Sequence, residues 1–370
     1  MTLDDAHETT TTAQTAPRTI LVLGGGGMKG IVHVGVLRAL DRLGIHVDEI
    51  VGTSIGAVVG AMRASGLSMS EMEAIVSDLD RRDFFRINVV KFLVKGYRHA
   101  SLYKGELFRK FLTDSLPVRS FDELVVPFYC NAISLETGAQ RYFGGEGSRD
   151  ISVLDAVYAS ATLPGIFEPL LWQGEMWIDG GIVEALALRW ARARKPERII
   201  AVDLSVRDYR ERHEYRRSLP WILFRAFELG QEALVEHNLH QFAGPDIVHI
   251  KPPVGHRGIF DFEELVELIE LGERDAIQAL VSHPSTRELC DPELRLKVAG
   301  DGTLRQGFAS IHVDPELCTN CGLCTLTCAT EGYAASNNGH VLHKAEHEHC
   351  TLDGACVRNC PTNAIDVRFP

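Results

Sequence analysis

Apolar residues run without a break over Thr19–Leu23 (TILVL), stop at four glycines, and recur at helical spacing over Ile31–Leu43. The pattern predicts a buried strand, a tight loop and a helix, the opening of an α/β unit. Val47–Val51 reads as a second strand that stops at Gly52, with a helix restarting after Ser54. Later strands are predicted at Phe128–Ser134, Ile199–Val202 and Ile247–Lys251, and helices at Leu154–Ala161, Ile182–Arg194, Trp221–His240 and Phe262–Val281. Strand alternating with helix predicts a mostly parallel sheet covered on both faces. The stretch 286–308, mixed and rich in charge and glycine, reads as a linker between a domain at 18–285 and a smaller one at 309–370. Residues 1–17 hold no basic start and no apolar run, so a disordered tail is expected rather than a targeting segment.

Composition sharpens this picture. The 370 residues are 45% hydrophobic and 24% charged, ordinary globular values that suffice for one large domain and one small one. A net charge of −12 argues against nucleic acid as a general partner, because phosphate binding needs a basic surface. No run of 18 apolar residues exists, so no membrane span is expected. One window departs from the acidic background. Residues 81–104 carry seven Lys/Arg against one acid, with Phe84, Phe85, Val89, Phe92 and Leu93 interleaved. Basic heads beside apolar side chains predict peripheral contact with anionic lipid; the alternative is a helix with a solvated rim.

Seven of the nine cysteines fall in the last 53 residues. Cys318-x2-Cys321-x2-Cys324-x3-Cys328 is followed by Cys350-x2-Asp353-x2-Cys356-x3-Cys360-Pro361, the same frame with an aspartate at its second position. Thiolates two residues apart can wrap an iron–sulfur cubane, the fourth of each run reaching the other cluster. A disulfide framework fits this spacing less well, and without a secretion signal a reducing cytoplasm is expected. A zinc ribbon is the plainer alternative. His343, His347 and His349 read as part of a solvated charged loop, and Cys130 as a small core residue.

Three further motifs carry hydrolytic chemistry. Gly52-Thr53-Ser54-Ile55-Gly56 is a G-x-S-x-G elbow between strand and helix, which pushes a serine hydroxyll into the open over a helix N-terminus. The run Gly24–Gly27 lacks the ending of a phosphate loop; glycines at a helix start can instead aim backbone N–H groups at a developing negative charge. Asp179-Gly180-Gly181 follows the apolar segment Leu170–Ile178, although an Asp-Gly step alone is only a turn signal. His33 at helical spacing beside Val32 and Val36 reads as a packed helix residue, with a missing triad member as its rival, and Lys29 is assigned no catalytic step.

Together GGGMKG at Gly25–Gly30, GTSIG at Gly52–Gly56 and DGG at Asp179–Gly181 resemble the patatin-like phospholipases. His33-x-Gly35-Val36-Leu37 and Ser160-Ala161-Thr162-Leu163-Pro164-Gly165-Ile166-Phe167 extend the likeness across about residues 18–285. The resemblance implies an α/β three-layer sandwich with a mostly parallel central sheet, and a catalytic Ser54–Asp179 dyad acting without histidine. It implies an oxyanion hole formed by Gly25, Gly26 and Gly27. Residues 309–370 resemble the bacterial two-cluster ferredoxins, a small α+β fold, including the closing Cys360-Pro361-Thr362-Asn363-Ala364-Ile365. That resemblance implies one [4Fe–4S] cluster on Cys318, Cys321, Cys324 and Cys360. It implies a second cluster on Cys328, Cys350 and Cys356 with Asp353, either [3Fe–4S] or Asp-ligated [4Fe–4S]. Ala329 stands where the first run of the family has proline.

The expected protein is a cytoplasmic serine lipid acyl hydrolase, a phospholipase or esterase, with an appended electron-transfer or redox-sensing domain. Its expected partners are a lipid ester, the membrane surface, and a basic redox protein, since the tail from His312 carries three basic residues against seven acidic. The rival expectation is an electron-transfer protein whose hydrolase domain is a docking module.

Overall fold

The computed structural model describes residues 18–80, 105–145, 150–205, 219–242, 244, 246–254, 257–294, 310–327, 333–335, 341–343, 356, 360–362 and 364–368. The tail 1–17, the basic window 81–104, and Cys328, Cys350 and Asp353 lie outside them.

One eight-stranded sheet organises the first domain. Its strands are β1 (Thr19–Leu23), β2 (Glu49–Gly52), β3 (Phe128–Ser134), β4 (Gln140–Phe143), β5 (Leu170–Trp172), β6 (Glu175–Asp179), β7 (Arg198–Val202) and β8 (Ile247–Ile250). They lie in the order 5-6-3-2-1-7-8, with β4 paired to β3. The run 3-2-1-7-8 is parallel; β6 joins β3 antiparallel, as do β4 to β3 and β5 to β6. Period-two alternation divides β1 between two cores. Leu21 and Leu23 belong to one apolar cluster, Ile20 and Val22 to the other, and all four are fully buried. A strand buried on both faces needs helices on both sides, and the three-layer sandwich follows.

The first face is covered by α1 (Val32–Leu43), α2 (Ile55–Ala64), α3 (Met69–Ser77), α4 (Glu106–Ser115), α5 (Val153–Ser160) and α9 (Leu265–Ser282), all of which contribute to the first cluster. The second face is covered by α6 (Gly181–Glu184), α7 (Leu188–Ala193) and α8 (Leu219–Phe242). Leu188, Ala191, Val235 and Leu239 pack there. Among the described residues no helix is long and apolar enough to cross a membrane.

Packing continues past the domain end expected at 285. Thr286 and Cys290 are buried, and Asp291 N–H donates to the Leu43 carbonyl at 3.0 Å. A short helix, α10 (Pro284–Arg287), makes that turn. The expected helix 182–194 is broken into α6 and α7, for a reason that appears at the site. In the small C-terminal part, β9 (Ser310–Val313) pairs antiparallel with β12 (Ile365–Arg368), and β10 (Tyr333–Ala335) with β11 (Val341–His343). A short helix α11 (Leu323–Thr327) follows Cys318 and Cys321 and carries Cys324.

Candidate functional site

The chain leaves β1 toward β2 and β3 on one side and returns to β7 and β8 on the other. The carboxyl ends of β1, β2 and β7 therefore meet at a topological switch point, where open α/β sheets form their crevice. Gly24–Gly27 leave β1 there, Thr53 and Ser54 leave β2, and Asp203 leaves β7. Asp179 arrives from the antiparallel strand β6. Register brings it level, since Gly52 pairs with Cys130 and Ala132 with Asp179.

Ser54 caps α2 with φ 57° and ψ −124°, a backbone region that side-chain-bearing residues avoid. Holding it there costs about 1–3 kcal/mol, which the surroundings must offset. Its flanking glycines explain the motif sterically. A Cβ on Gly52 would lie 2.3 Å from the Gly56 carbonyl oxygen, and one on Gly56 would lie 2.2 Å from the Leu23 carbonyl oxygen. Only glycine lets strand, turn and helix approach this closely. The Ser54 N–H donates to Ser160 Oγ at 3.2 Å, tying the elbow to α5.

Asp179 is buried beside this serine. Its Oδ1 accepts the Gly181 N–H at 2.8 Å, while Oδ2 is buried and has no hydrogen-bond partner. Burial pushes the acid's pKa up to about 7, against the opposing pull of the Ser54 hydroxyl and the Gly181 N–H. The result is a carboxyl that changes charge near neutrality and holds a free oxygen lone pair.

The glycine loop is fixed peptide by peptide. Gly24 N–H donates to Val202 O at 3.0 Å, Gly25 N–H to Ala185 O at 2.9 Å, and Met28 N–H to Ile259 O at 2.8 Å. The expected oxyanion donor Gly25 is thus already engaged. Its contribution is close packing, because an added Cβ would sit 3.2 Å from Ser54 Cβ. Among the described residues the N–H groups of Gly26 and Gly27 have no such partner. The bond from Gly25 also explains the broken helix: α6 ends at Glu184, α7 starts at Leu188, and between them the Ala185 carbonyl is given to the loop.

Ser54 stands between two cavities, both of which also reach Gly27, Leu163 and Ile259. One is polar, with Lys29, Asp203, Glu228, Gln231 and Glu232 in its wall. Lys29 is buried here; burial lowers its pKa while Glu228 and Glu232 pull it back up. The other is almost wholly apolar, lined by Val59, Met62, Val76, Phe108, Phe167 and Phe262 among others. The sequence reading missed the α8 wall and the support beneath the site. The Glu184 carbonyl accepts Thr53 Oγ1–H at 3.3 Å and Asn131 Nδ2–H at 3.0 Å, joining β2, β3 and α6 behind the serine. The Glu184 carboxylate is itself buried and accepts from Tyr142 Oη at 2.6 Å, Gln140 and Arg189. Single polar residues within apolar strands carry no local signal that would have marked them.

In the C-terminal part, Cys318, Cys321, Cys324 and Cys360 all line one cavity, closed by Val313 and Ile365. Burial works against the Cys360 thiolate, but hydrogen bonds from Thr362, Ala364 and Ile365 outweigh it and hold the thiol below its usual range. Ala364 N–H reaches its sulfur at 3.2 Å. Among the described residues no compact group of His, Cys, Asp or Glu could hold a single metal ion. Four cysteines lining one cavity are a donor set that an iron–sulfur cluster would use. Cys356 is buried; its expected partners Cys328, Cys350 and Asp353 lie outside the described residues.

Comparison with known proteins finds two separate matches along the chain. The family model of patatin-like phospholipases matches residues 21–191, and the 4Fe–4S binding domain model matches residues 345–366. Lysophospholipase NTE1 of Saccharomyces cerevisiae is 29% identical over 272 residues, covering 68% of this chain and 16% of the yeast protein. That of Lodderomyces elongisporus is 26% identical over 307 residues, covering 78% and 21%. The chain therefore spans only about a sixth to a fifth of these relatives' length. Among solved structures, VipD from Legionella pneumophila superposes with a TM-score of 0.47 at 14% identity, covering 73% of this chain and 67% of VipD. The type III effector ExoU gives a TM-score of 0.35 at 14% identity, covering 78% and 59%. Residues 21–191 of this chain are thus similar to the patatin-like phospholipases, and residues 345–366 to 4Fe–4S binding domains.

Proposed function

We propose that this chain is a serine lipid acyl hydrolase. The observation that carries the reading is the position of Ser54, strained and facing a buried ionisable acid, where an apolar cavity meets a polar one. The acyl chain of a lipid ester lies in the apolar cavity and the alcohol portion in the polar one. Ser54 Oγ bonds to the ester carbonyl carbon as its proton passes to Asp179 Oδ2. The carbonyl oxygen becomes an oxyanion held by the N–H groups of Gly26 and Gly27 at the start of the glycine turn. Collapse breaks the ester bond, and Asp179 returns the proton to the departing alcohol. Water then repeats the sequence on the acyl-enzyme and releases the acid. The docking-module alternative leaves a strained serine and a costly buried acid without a role.

The test is a p-nitrophenyl ester series from acetyl to palmitoyl. kcat/KM is expected to climb with acyl length, and Val59→Trp, which fills the apolar cavity, should flatten the climb by about tenfold at the long end. A series with no preference for long chains in the wild type would remove the acyl role of this cavity.

Asp179 also sets the pH dependence. Only its carboxylate can take the serine proton, so kcat/KM is expected to rise as pH passes through about 7 and to level above it. Stability moves the other way. Between its ordinary 3.8 and about 7 the folded acid keeps a proton that the unfolded chain has lost, so stability falls across that window and stays low above it. At about 1.4 kcal/mol per unit, the cost above pH 7 is on the order of 4 kcal/mol. Asp179→Asn should therefore melt higher than wild type at pH 8, with the gain vanishing near pH 4. An unchanged melting temperature at pH 8 would contradict the assigned shift.

Cys318, Cys321, Cys324 and Cys360 are the residues that hold one [4Fe–4S] cluster, and Cys328, Cys350, Cys356 and Asp353 the second. Bound there, such clusters accept and release single electrons, for transfer or for sensing. The +6 window 81–104 supplies the contact with an anionic membrane surface in this reading.

A further inference from the structure

We infer that His33 is a positioning residue of the oxyanion loop: its imidazole locks the Gly24–Gly25 peptide so that the next two N–H groups are left facing the reacting carbonyl. The inference rests on the acyl hydrolase reading above.

His33 sits in the first turn of α1, fully buried, and its Nε2 lies 2.8 Å from the Gly24 carbonyl oxygen. A carbonyl can only accept, so Nε2 carries the proton. Nδ1 is then a bare acceptor, and it is buried without a partner. Leaving such an atom unsatisfied costs about 1–3 kcal/mol, and an apolar residue of similar size would avoid it. The retained imidazole therefore does something at Gly24.

What it does follows from the peptide it holds. The Gly24–Gly25 unit has its C=O bound by His33 and its N–H bound by Ala185 O at 2.9 Å. Gly24 N–H is held in turn by Val202 O, and Met28 N–H by Ile259 O. A glycine loop is conformationally free, so these four bonds define it. They bracket Gly26 and Gly27, whose N–H groups have no backbone partner among the described residues. Preorganised donors are effective because no reorientation is needed as charge develops.

His33 is not the missing base of a triad. It lines neither cavity at Ser54. Its one proton points at a carbonyl, and burial pulls its pKa down to about 4, so it stays neutral in the working range.

Two variants of the full-length protein test this, beside Ser54→Ala, on a p-nitrophenyl long-chain ester at pH 8. The side chain of glutamine can place an amide N–H near the Nε2 position, whereas that of asparagine falls short of it. His33→Asn is expected to lower kcat roughly 10²-fold with KM within about threefold, the pattern of a lost oxyanion contact. His33→Gln should recover most of that loss, and in both the acid limb near pH 7 should persist. Melting temperatures separate packing from positioning. A folded His33→Asn with wild-type kcat overturns the inference, as does a folded His33→Gln with the full 10²-fold loss. Should His33→Asn not fold, the kcat of His33→Gln alone decides between these outcomes. Activity surviving in Ser54→Ala instead overturns the hydrolase reading beneath it.

Discussion

Ser54→Ala is expected to lower ester hydrolysis by roughly 10⁴-fold or more, and Asp179→Asn by a comparable factor. The alanine variant has no oxygen to attack the carbonyl. The asparagine variant keeps the shape of the site and the bond from Gly181 N–H to Oδ1, but offers no lone pair of sufficient basicity to the serine proton. Because the proposed mechanism has both residues act on one proton, the double variant should be little worse than either single one. Additive losses would mean that Asp179 acts on another step. The absorption of the iron–sulfur domain should be unchanged in all three, which serves as the internal check that the chain has folded and loaded its cofactor. Hydrolysis within tenfold of wild type in either single variant would remove the dyad from the mechanism.

Much of this site was legible because its parts need particular residues at fixed spacing. The elbow glycines are demanded by contacts of 2.2–2.3 Å that any Cβ would make, so the motif is a steric statement written in the sequence. The strands β1 and β3 were legible to the residue, since short, mostly apolar runs buried on both faces show no competing helical period. The antiparallel edge was not separated into its strands. β5 is three residues long, with Leu171 exposed, and β6 begins at a half-buried Glu175, so neither shows an alternation long enough to read. α4 escaped for a related reason: its apolar stripe Phe108, Phe111 and Leu112 is interrupted by Arg109, Lys110 and Thr113, and no cap residue announces it. Gly25 shows the limit of a motif. Four adjacent glycines look equivalent in sequence, yet carbonyls of Val202 and Ala185, more than 150 residues away, take the N–H groups of Gly24 and Gly25. The continuous helix expected at 182–194 failed on the same contact, because local propensity favoured helix while the glycine loop required a carbonyl there.

The aspartate at position 353 carries the other large expectation. It occupies the frame of a cluster ligand, with Cys350, Cys356, Cys360 and Pro361 intact around it. A carboxylate is a harder and weaker ligand for cluster iron than a thiolate, so an iron held by Asp353 would be expected to leave first. Oxidising isolation is therefore expected to yield one [4Fe–4S] and one [3Fe–4S] centre. The oxidised [3Fe–4S] centre is paramagnetic whereas an oxidised [4Fe–4S] centre of the ferredoxin type is not, so electron paramagnetic resonance of the oxidised wild type reads the difference directly. Ferrous iron added under reduction should abolish the signal by rebuilding the fourth corner. Asp353→Cys should abolish it permanently by supplying a thiolate. Cys324→Ser acts on the other centre, whose four sulfurs share one cavity, and should remove the [4Fe–4S] contribution while leaving the [3Fe–4S] signal. An oxidised wild type that is silent and fully loaded with iron, and that Asp353→Cys leaves unaltered, would show that the carboxylate holds its iron as firmly as a thiolate would.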